Sequence, residues 1–412
     1  MFRFAHLADI HIGGWRDPKM KDLSTQAFGA AVDRIIAEKL DFMLISGDIF
    51  NTALPAIDKV KEVTKKLKEV KDAGIPVYII AGSHDFSPSG KTMLDVLEHA
   101  GLWKNVVRGE VVDGLLTLSF TVDQKTGAKI TGMLGKKGML DRAYYENLQR
   151  QNLEAESGYK IFMFHTALSE FKPKDMEMME AHPLSLLPKG FNYYAGGHVH
   201  YIFSKHEQEY GFIAYPGPLF PNNFAELEKL TCGGFNIVTV DGDKTTLEYV
   251  ALQLHPCLSI SISAQHKTPA EVTDELYAEL AKHNLENALV TIRVEGVLSQ
   301  GKPGAIQFES IFDGLYRRNA YFVMKNTAKL TAVEFDEIKG DAQQVDDVEE
   351  KVISQHVGKN SLFSAEEEKK LVLSLLQALS MEKGDGERTS DFEERLIKDA
   401  EKILLMNRLS IH

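Results

Sequence analysis

Only two cysteines, Cys232 and Cys257, occur in 412 residues. That excludes a disulfide framework, and the pair has no C-x-x-C spacing for metal, so a reducing cytosol suits the chain. Long hydrophobic runs are missing as well. No stretch approaches the roughly 18 apolar residues that span a bilayer. Met1-Phe2-Arg3 leads directly into the first apolar run and leaves no room for a secretory signal. Positive charge is also in deficit: the formal net charge is −12, which argues against a broad basic surface. The deficit is uneven. From Thr331 onward 19 acidic residues face 11 basic ones, a net of −8, which leaves −4 for residues 1–330. That first part can still present a local positive groove. Internal repeats and low-complexity tracts are absent too.

What is present is an ordinary globular composition, 44% hydrophobic and 26% charged, long enough for two or three domains. The centre of the pattern is Phe42 to Ile45, an apolar run that reads as a strand buried on both faces and stops at Gly47-Asp48. Asp48 stands just past the carboxyl end of that strand, the edge at which open α/β sheets bind ligands. Four other apolar runs end the same way. Phe2 to Ala8 leads into Asp9-Ile10-His11, and Val77 to Ala81 into Gly82-Ser83-His84-Asp85. Ile161 to Phe164 ends on His165, and Tyr193 to Gly197 on His198-Val199-His200. A lone strand-end histidine is ordinarily structural, but this ordered set is not a coincidence of composition. Two aspartates and four histidines at strand ends suit two borderline-hard divalent ions, manganese, iron or zinc rather than calcium. Asp48 can bridge them, because a carboxylate has two oxygens. Two such ions about 3.5–4 Å apart clamp the attacking and leaving oxygens of an in-line displacement at phosphorus.

Around these strand ends the pattern alternates strand and helix, which argues for a largely parallel central sheet. Helices are expected from Asp22 to Glu38, Pro55 to Ala73 and Lys91 to Ala100. After residue 109 hairpin-like strands take over. Leu115 to Val122 and Ile130 to Leu134 flank an Asp123–Gly127 turn, and later strands run at 211–215, 235–240 and 246–252. Two face-to-face sheets with helices outside accommodate both halves. From 256 to 330 the order is strand, helix, strand, helix, strand, without a catalytic constellation. Asp341 to Asn360 reads as an acidic linker within 331–360. Two capped helix patterns close the chain over 361–412. One begins at Ser364 with Leu371, Leu375, Leu376 and Leu379 on its stripe. The other begins at Ser390 with Phe392, Leu396, Ala400, Ile403 and Leu404, and Gly384 and Gly386 form the turn between them.

The order Asp9-x-His11, Gly47-Asp48, Gly82-Ser83-His84-Asp85, His165 and Gly197-His198-x-His200 resembles the calcineurin-like metallophosphoesterases. Within them the chain is similar to the SbcD-type, or meiotic-recombination-eleven, DNA repair nucleases. His6-Leu7-Ala8-Asp9-Ile10-His11, Tyr215-Pro216-Gly217 followed by Gly234-Phe235, and the acidic tail with terminal helices carry that narrower resemblance. It implies an α/β fold: an αββα four-layer sandwich over 1–255, a small α/β capping domain that binds DNA over 256–330, and a C-terminal helical hairpin. The first metal would be held by Asp9, His11, Asp48 and His200, the second by Asp48, His165, His198 and the residue at 83. That residue is Ser83, where the family usually has asparagine, so a shorter hydroxyl replaces a carbonyl oxygen. His84 would be the catalytic residue that stabilises the phosphorane or protonates the leaving oxygen, with Asp85 beside it to orient it. Asn51 stands where many members have histidine.

The implied activity is hydrolysis of DNA phosphodiesters with two Mn2+ ions (Fe2+, Zn2+ or Mg2+ as alternatives). It would act as an exonuclease on duplex ends and an endonuclease on single strands and hairpins, in a cytoplasmic, nucleoid-associated setting. The resemblance further implies a homodimer and an SbcC-type ATPase partner, of the structural-maintenance-of-chromosomes kind, docked through 361–412. A phosphatase or cyclic-nucleotide phosphodiesterase on the same core, and a catalytically weak DNA-end scaffold, are the competing readings. Lys136-Lys137 and Arg317-Arg318 are the candidate phosphate contacts. His6 reads as a satisfied core histidine, and His182 as a surface or packing residue.

Overall fold

The structure, a computed structural model, describes residues 1–87, 92–333, 364–381 and 389–408. The expected acidic linker from Asp341 to Asn360 and the Gly384/Gly386 turn lie outside what is described, while Ser390, expected as a helix cap, falls inside the helix Thr389–Arg408, which begins one residue earlier. The chain divides into two compact units, one of residues 1–262, 276–294 and 308–327, the other of 263–275, 295–307 and 328–412.

In the first unit two six-stranded sheets are formed among the described residues. The first sheet runs in the order Lys244–Leu252, Gly233–Asp241, Phe2–Leu7, Phe42–Ser46, Val77–Ile80, Lys104–Asn105. Its last four strands are parallel, because each is returned by a helix or a long crossover. The second runs Phe203–Glu207, Gly211–Tyr215, Tyr193–Gly197, Lys160–His165, Lys129–Gly132, Thr121–Val122, with the middle four parallel. Phe42–Ser46, Lys160–His165 and Tyr193–Gly197 are buried along their whole lengths. This is why they read as unbroken apolar runs rather than alternating ones.

Three apolar layers hold the sheets. Between them lie Phe4, Phe42, Leu44 and Ile80 from the first sheet against Ile130, Ile161, Met163 and Ala214 from the second. Phe4 and Phe42 are register partners whose rings stack 4.8 Å apart. Truncating either to alanine would cost about 3–5 kcal/mol. Outside the first sheet pack the helices Leu23–Ala37, through Ala27, Phe28, Ala31, Val32 and Ile35, and Ile57–Asp72, through Val60, Val63, Leu67 and Val70. The three- and four-residue steps put each set on one helical face. Outside the second sheet Tyr145, Leu148, Leu153 and Leu187 cover Phe162, Phe164 and Tyr194. The result is the α/β sandwich that the sequence pattern implied.

One expected strand is two. Leu115–Leu118 pairs antiparallel with Gly109–Val112, and only Thr121–Val122 pairs with Lys129–Gly132 around the Asp123 turn. The run breaks where the Ser119 amide turns to the Arg108 carbonyl at 2.8 Å. The polar edge strand Phe203–Glu207 went unforeseen. The order Cys257–Ser263, Pro269–Ala281, Leu289–Leu298, Phe308–Arg317, Phe322–Asn326 matches the expected alternation. Arg318, expected as a phosphate contact, instead donates to the Leu280 and His283 carbonyls at 2.9 and 2.6 Å. A guanidinium spent on a helix C-terminus is a cap, not a ligand for phosphate.

In the second unit the helices Ala365–Leu379 and Thr389–Arg408 pair with each other. Ser364 and Glu367 close the expected capping box. Leu371 is buried, but Leu376, Leu379 and Leu404 remain exposed, beside Leu373 and Ile397. The apolar stripes are therefore only partly consumed by the pairing. Among the described residues no helix is long and apolar enough to cross a membrane.

Candidate metal centre

The five strand-end segments meet. Asp9 follows Phe2–Leu7, Asp48 follows Phe42–Ser46, and His84 follows Val77–Ile80, all from the first sheet. His165 ends Lys160–His165, while His198 and His200 follow Tyr193–Gly197, from the second. Their backbones are forced into unusual shapes to do so. Asp9, His11, Asp48 and His198 all have left-handed φ, at 50°, 47°, 52° and 86°. Aspartate and histidine visit that region more readily than most residues, though each non-glycine instance still stores roughly 1–3 kcal/mol. A ladder of amide bonds holds the strain: Asp9 to the Gly47 carbonyl (3.1 Å), His11 to Asp48 (2.9 Å), Ile12 to Ile49 (3.0 Å). Gly47 and Gly82 are small by necessity. A Cβ on Gly47 would lie 2.3 Å from His165 Nδ1, and one on Gly82 2.2 Å from Asp48 Oδ1.

The hydrogen bonds around the imidazoles decide their tautomers. His165 donates Nδ1–H to the Ser46 carbonyl at 2.7 Å, which leaves the Nε2 lone pair facing Asp48 Oδ2 at 3.2 Å. No hydrogen-bond partner satisfies that nitrogen, although it is fully buried. His200 donates Nδ1–H to Glu226 Oε1 at 2.8 Å, which turns its own Nε2 lone pair toward His11 Nε2 at 3.1 Å and Asp9 Oδ1 at 3.7 Å. His11 Nε2 also lies 3.7 Å from Asp48 Oδ2. In these neutral tautomers buried lone pairs and carboxylate oxygens converge on shared points, an arrangement that a bound cation, whether a metal ion or a proton, resolves. Ligand atoms of Asp9, His11 and His200, of His11, Asp48 and His84, and of Asp9, Asp48 and His165 lie within 4.8 Å of one another. The residues present fit a divalent metal centre.

Without a metal, protons take that place at His165 and His200. Burial lifts the Asp9 carboxyl to about 7, against the pull of His200 and His165. Burial works against charge at His165, yet Asp48 overrides it and pushes the imidazolium up to about 10. At His200 burial is overridden by the bond to Glu226 and the charge of Asp9, and the value rises to about 9. Burial would raise Asp48, but His165 and His11 hold it far below the usual carboxylate range. Burial pushes His11 down to about 3. The protein alone draws positive charge to the places where metal would sit.

The remaining expected residues fall around this cluster. The His198 ring lies 5.2 Å from that of His165, outside the tightest groups, and its amide donates to both Asp9 oxygens at 3.0 and 3.1 Å. Ser83 is buried and lines a cleft of about 380 Å3 with His84, Lys136, His165 and His198. His84 donates its amide to Asp48 Oδ1 at 2.7 Å, and its Nδ1 is held by the Asn51 carbonyl at 2.9 Å. Asp85 does not touch the His84 ring. Its buried carboxylate accepts the amides of Ile49, Phe50 and Gly82 at 3.1–3.2 Å and so staples two ligand loops together. His6 is a satisfied core residue, and His182 is fully buried against Asp141 at 3.3 Å.

Two contributors escaped the sequence reading. Glu226 sits in the first turn of the helix Phe224–Leu230, three residues after its Asn223 cap, so its pattern reads as ordinary capping. Ser46 contributes a backbone carbonyl, which no side-chain motif can reveal.

Residues 2–201 match the calcineurin-like phosphoesterase family. The chain is 24% identical over 411 residues to the DNA double-strand break repair protein Mre11 of Archaeoglobus fulgidus, covering 96% of this chain and 88% of that one. It is 28% identical over 205 residues to the protein of the same name from Methanococcus maripaludis, 48% of this chain and 51% of that one. The crystal structure of a dimetal phosphatase from Danio rerio aligns with a TM-score of 0.40 at 12% identity, covering 60% of this chain and 95% of that one. Residues 2–201 thus match a calcineurin-like phosphoesterase domain, and the chain is similar over nearly its whole length to an Mre11-type member of that superfamily.

Proposed function

We propose that this protein is a manganese-dependent DNA nuclease that acts in double-strand-break repair. It would cleave phosphodiesters at duplex ends as an exonuclease, and in single strands and hairpins as an endonuclease. The observation that carries the reading is the convergence of His11, His200, Asp48 and His165 on shared points beside His84. Asp9, His11, Asp48 and His200 would hold one ion, and Asp48, His165, His198 and Ser83 the other. Bound there, two divalent ions supply Lewis acidity and a clamp for in-line displacement at phosphorus. The chain supplies the rest. Glu226 and the Ser46 carbonyl keep the Nε2 lone pairs of His200 and His165 aimed inward. With Nδ1 tied to Asn51, His84 presents Nε2 as the group that carries a proton to the leaving oxygen. Lys136 lies over the rings of Phe86 and Tyr144, at 4.7 and 4.6 Å, and donates to the Tyr144 hydroxyl at 2.7 Å. That anchored ammonium, with Lys137 on the same cleft, suits a flanking phosphate.

The DNA part of the reading is supported by relatives whose names declare double-strand-break repair. One assay separates it from its rivals: release of nucleotides from duplex DNA with and without manganese, beside a small diester and a phosphomonoester. Turnover of the small esters alone would make the protein a phosphatase or small phosphodiesterase. Binding of DNA ends without turnover of any of the three would make it a scaffold, to which the short Ser83 hydroxyl lends some weight.

Residues 256–330 would serve as the DNA-binding cap in this reading. Homodimerisation is supported by Leu54, Ile57 and Val96, which are exposed on segments tied together by the Met93 amide and the Ala53 carbonyl. The uncovered leucines of the paired helices support docking of an SbcC-type ATPase through 361–412. Deleting everything after Lys359 should leave nuclease activity intact and abolish co-purification with that ATPase. Unchanged affinity of the truncated chain would overturn the docking assignment.

A further inference from the structure

In the largely apolar layer between the two sheets, apart from the Tyr78 hydroxyl bonded to Asp123, a chain of polar groups lies next to the metal centre. His6, Ser46, Tyr193 and Asn236 are all buried there. His6 and Asn236 are register partners on neighbouring strands of the first sheet, and Ser46 lies on the third strand of that set. Tyr193 and Ala195 belong to the second sheet. Ser46 Oγ–H donates to the Ala195 carbonyl at 2.9 Å, so the oxygen accepts from His6 Nε2–H at 3.0 Å. That leaves the His6 Nδ1 lone pair to accept the Tyr193 hydroxyl at 2.9 Å. The order is continuous and directional: Tyr193 to His6 to Ser46 to Ala195. It crosses from one sheet to the other twice.

We infer that this chain is a positioning device that sets the register of the two sheets and, through Ser46, the aim of His165. Apolar packing is non-directional and tolerates small slides, whereas hydrogen bonds lose strength steeply once misaligned. A slide of one sheet against the other would break the bonds from Tyr193 to His6 and from Ser46 to Ala195. The placement of the sheets matters because the ligands are divided between them. Asp9, His11 and Asp48 come from the first, and His165, His198 and His200 from the second. Ser46 is the joint: its Oγ is held by His6 and Ala195, and its carbonyl holds His165 Nδ1 at 2.7 Å. His6 acts on the metal centre without touching it.

The inference rests on the reading of the cluster as a metal centre, and the two can be tested apart. Asparagine at position 6 can reproduce the Nδ1 bond to Tyr193 but not the bond to Ser46. Glutamine can reproduce the Nε2 bond to Ser46 but not the one to Tyr193. Manganese affinity and stoichiometry of the full chain would be measured by calorimetry and electron paramagnetic resonance for His6→Asn, His6→Gln and Ser46→Ala, with melting temperatures alongside. His6→Asn and Ser46→Ala should weaken the ion held by His165 by roughly 10–100-fold, the range seen when a partner behind a metal ligand is lost. The ion at Asp9, His11 and His200 should change several-fold less in both, because Glu226 rather than Ser46 orients His200. His6→Gln should keep both ions near wild-type affinity, even though it removes as many hydrogen bonds as His6→Asn. Equal metal binding by the asparagine and glutamine variants, or by Ser46→Ala and wild type, overturns the inference. Failure of the wild type to bind metal would instead overturn the metal reading itself.

Discussion

The two halves of the candidate metal centre offer the same donor chemistry and are held by different means. Around Asp9, His11 and His200 the outer support is a side chain, Glu226, and the His200 side chain keeps 21% of its surface exposed. Around Asp48 and His165 the outer support is the Ser46 backbone carbonyl, and His165 is fully enclosed. A carboxylate support can be altered by one substitution and adds charge. A carbonyl support depends on where two strands lie and adds only a dipole. The first half is therefore open to tuning by single residues, and the second answers to the packing of the sheets. Asp48 belongs to both.

The largest effect should come from removing what the halves share. Asp48→Asn should lose both ions while the fold survives, and DNA cleavage should fall by at least ~1000-fold, since bound metal supplies several kcal/mol to such reactions. Metal analysis and cleavage rates check it together, and near-normal cleavage with one ion per chain would sink the two-metal mechanism. Next comes His84→Ser, which should bind manganese normally and cleave about 100-fold more slowly, as loss of a general acid does. Calorimetry showing lost metal affinity would make His84 a ligand, which its proximity to His11 and Asp48 permits.

Glu226→Gln addresses the first half alone. It should weaken the ion at His200 roughly 10–100-fold and spare the ion at His165. The pH dependence supplies a signature. Glu226 and Asp9 push the His200 imidazolium up to about 9. In the wild type a proton therefore competes with metal until the pH rises through that value, and affinity should climb across pH 7–9. Without the Glu226 charge the climb should end at lower pH. Equal loss of both ions would show that the halves are not independently held. The smallest effect is expected for Ser83→Asn in the second half. A carbonyl oxygen in place of the hydroxyl should lower the manganese needed for half-maximal cleavage by several-fold, within roughly 1–2 kcal/mol, the scale of a single polar contact. An unchanged requirement would mean that the loop is built around serine.

Most of the site was legible because its ligands sit at the carboxyl ends of apolar strands, where a run of Val, Ile, Leu and Phe marks the strand and the next residues mark the edge. Asp9, His11, Asp48, His84, His165, His198 and His200 all meet as their order suggested. Helix positions were legible too, through one-sided apolar spacing. Legibility failed where the determining contact is remote in sequence. Ser119 breaks a strand by bonding Arg108, and Arg318 is drawn to carbonyls of a helix that ended more than thirty residues earlier. Asp85 is adjacent to His84 in the chain, yet its carboxylate turns to amides at 49 and 50.

By itself the sequence marked the phosphoesterase class, the candidate donors at the strand ends and the layered α/β architecture, because strand periodicity and residue type are properties of neighbouring residues. Only the tertiary structure decided the protonation and aim of each imidazole. Those depend on Glu226, on the Ser46 carbonyl and on the polar chain beneath the site, partners brought within 3 Å by the packing of two sheets rather than by any spacing along the chain.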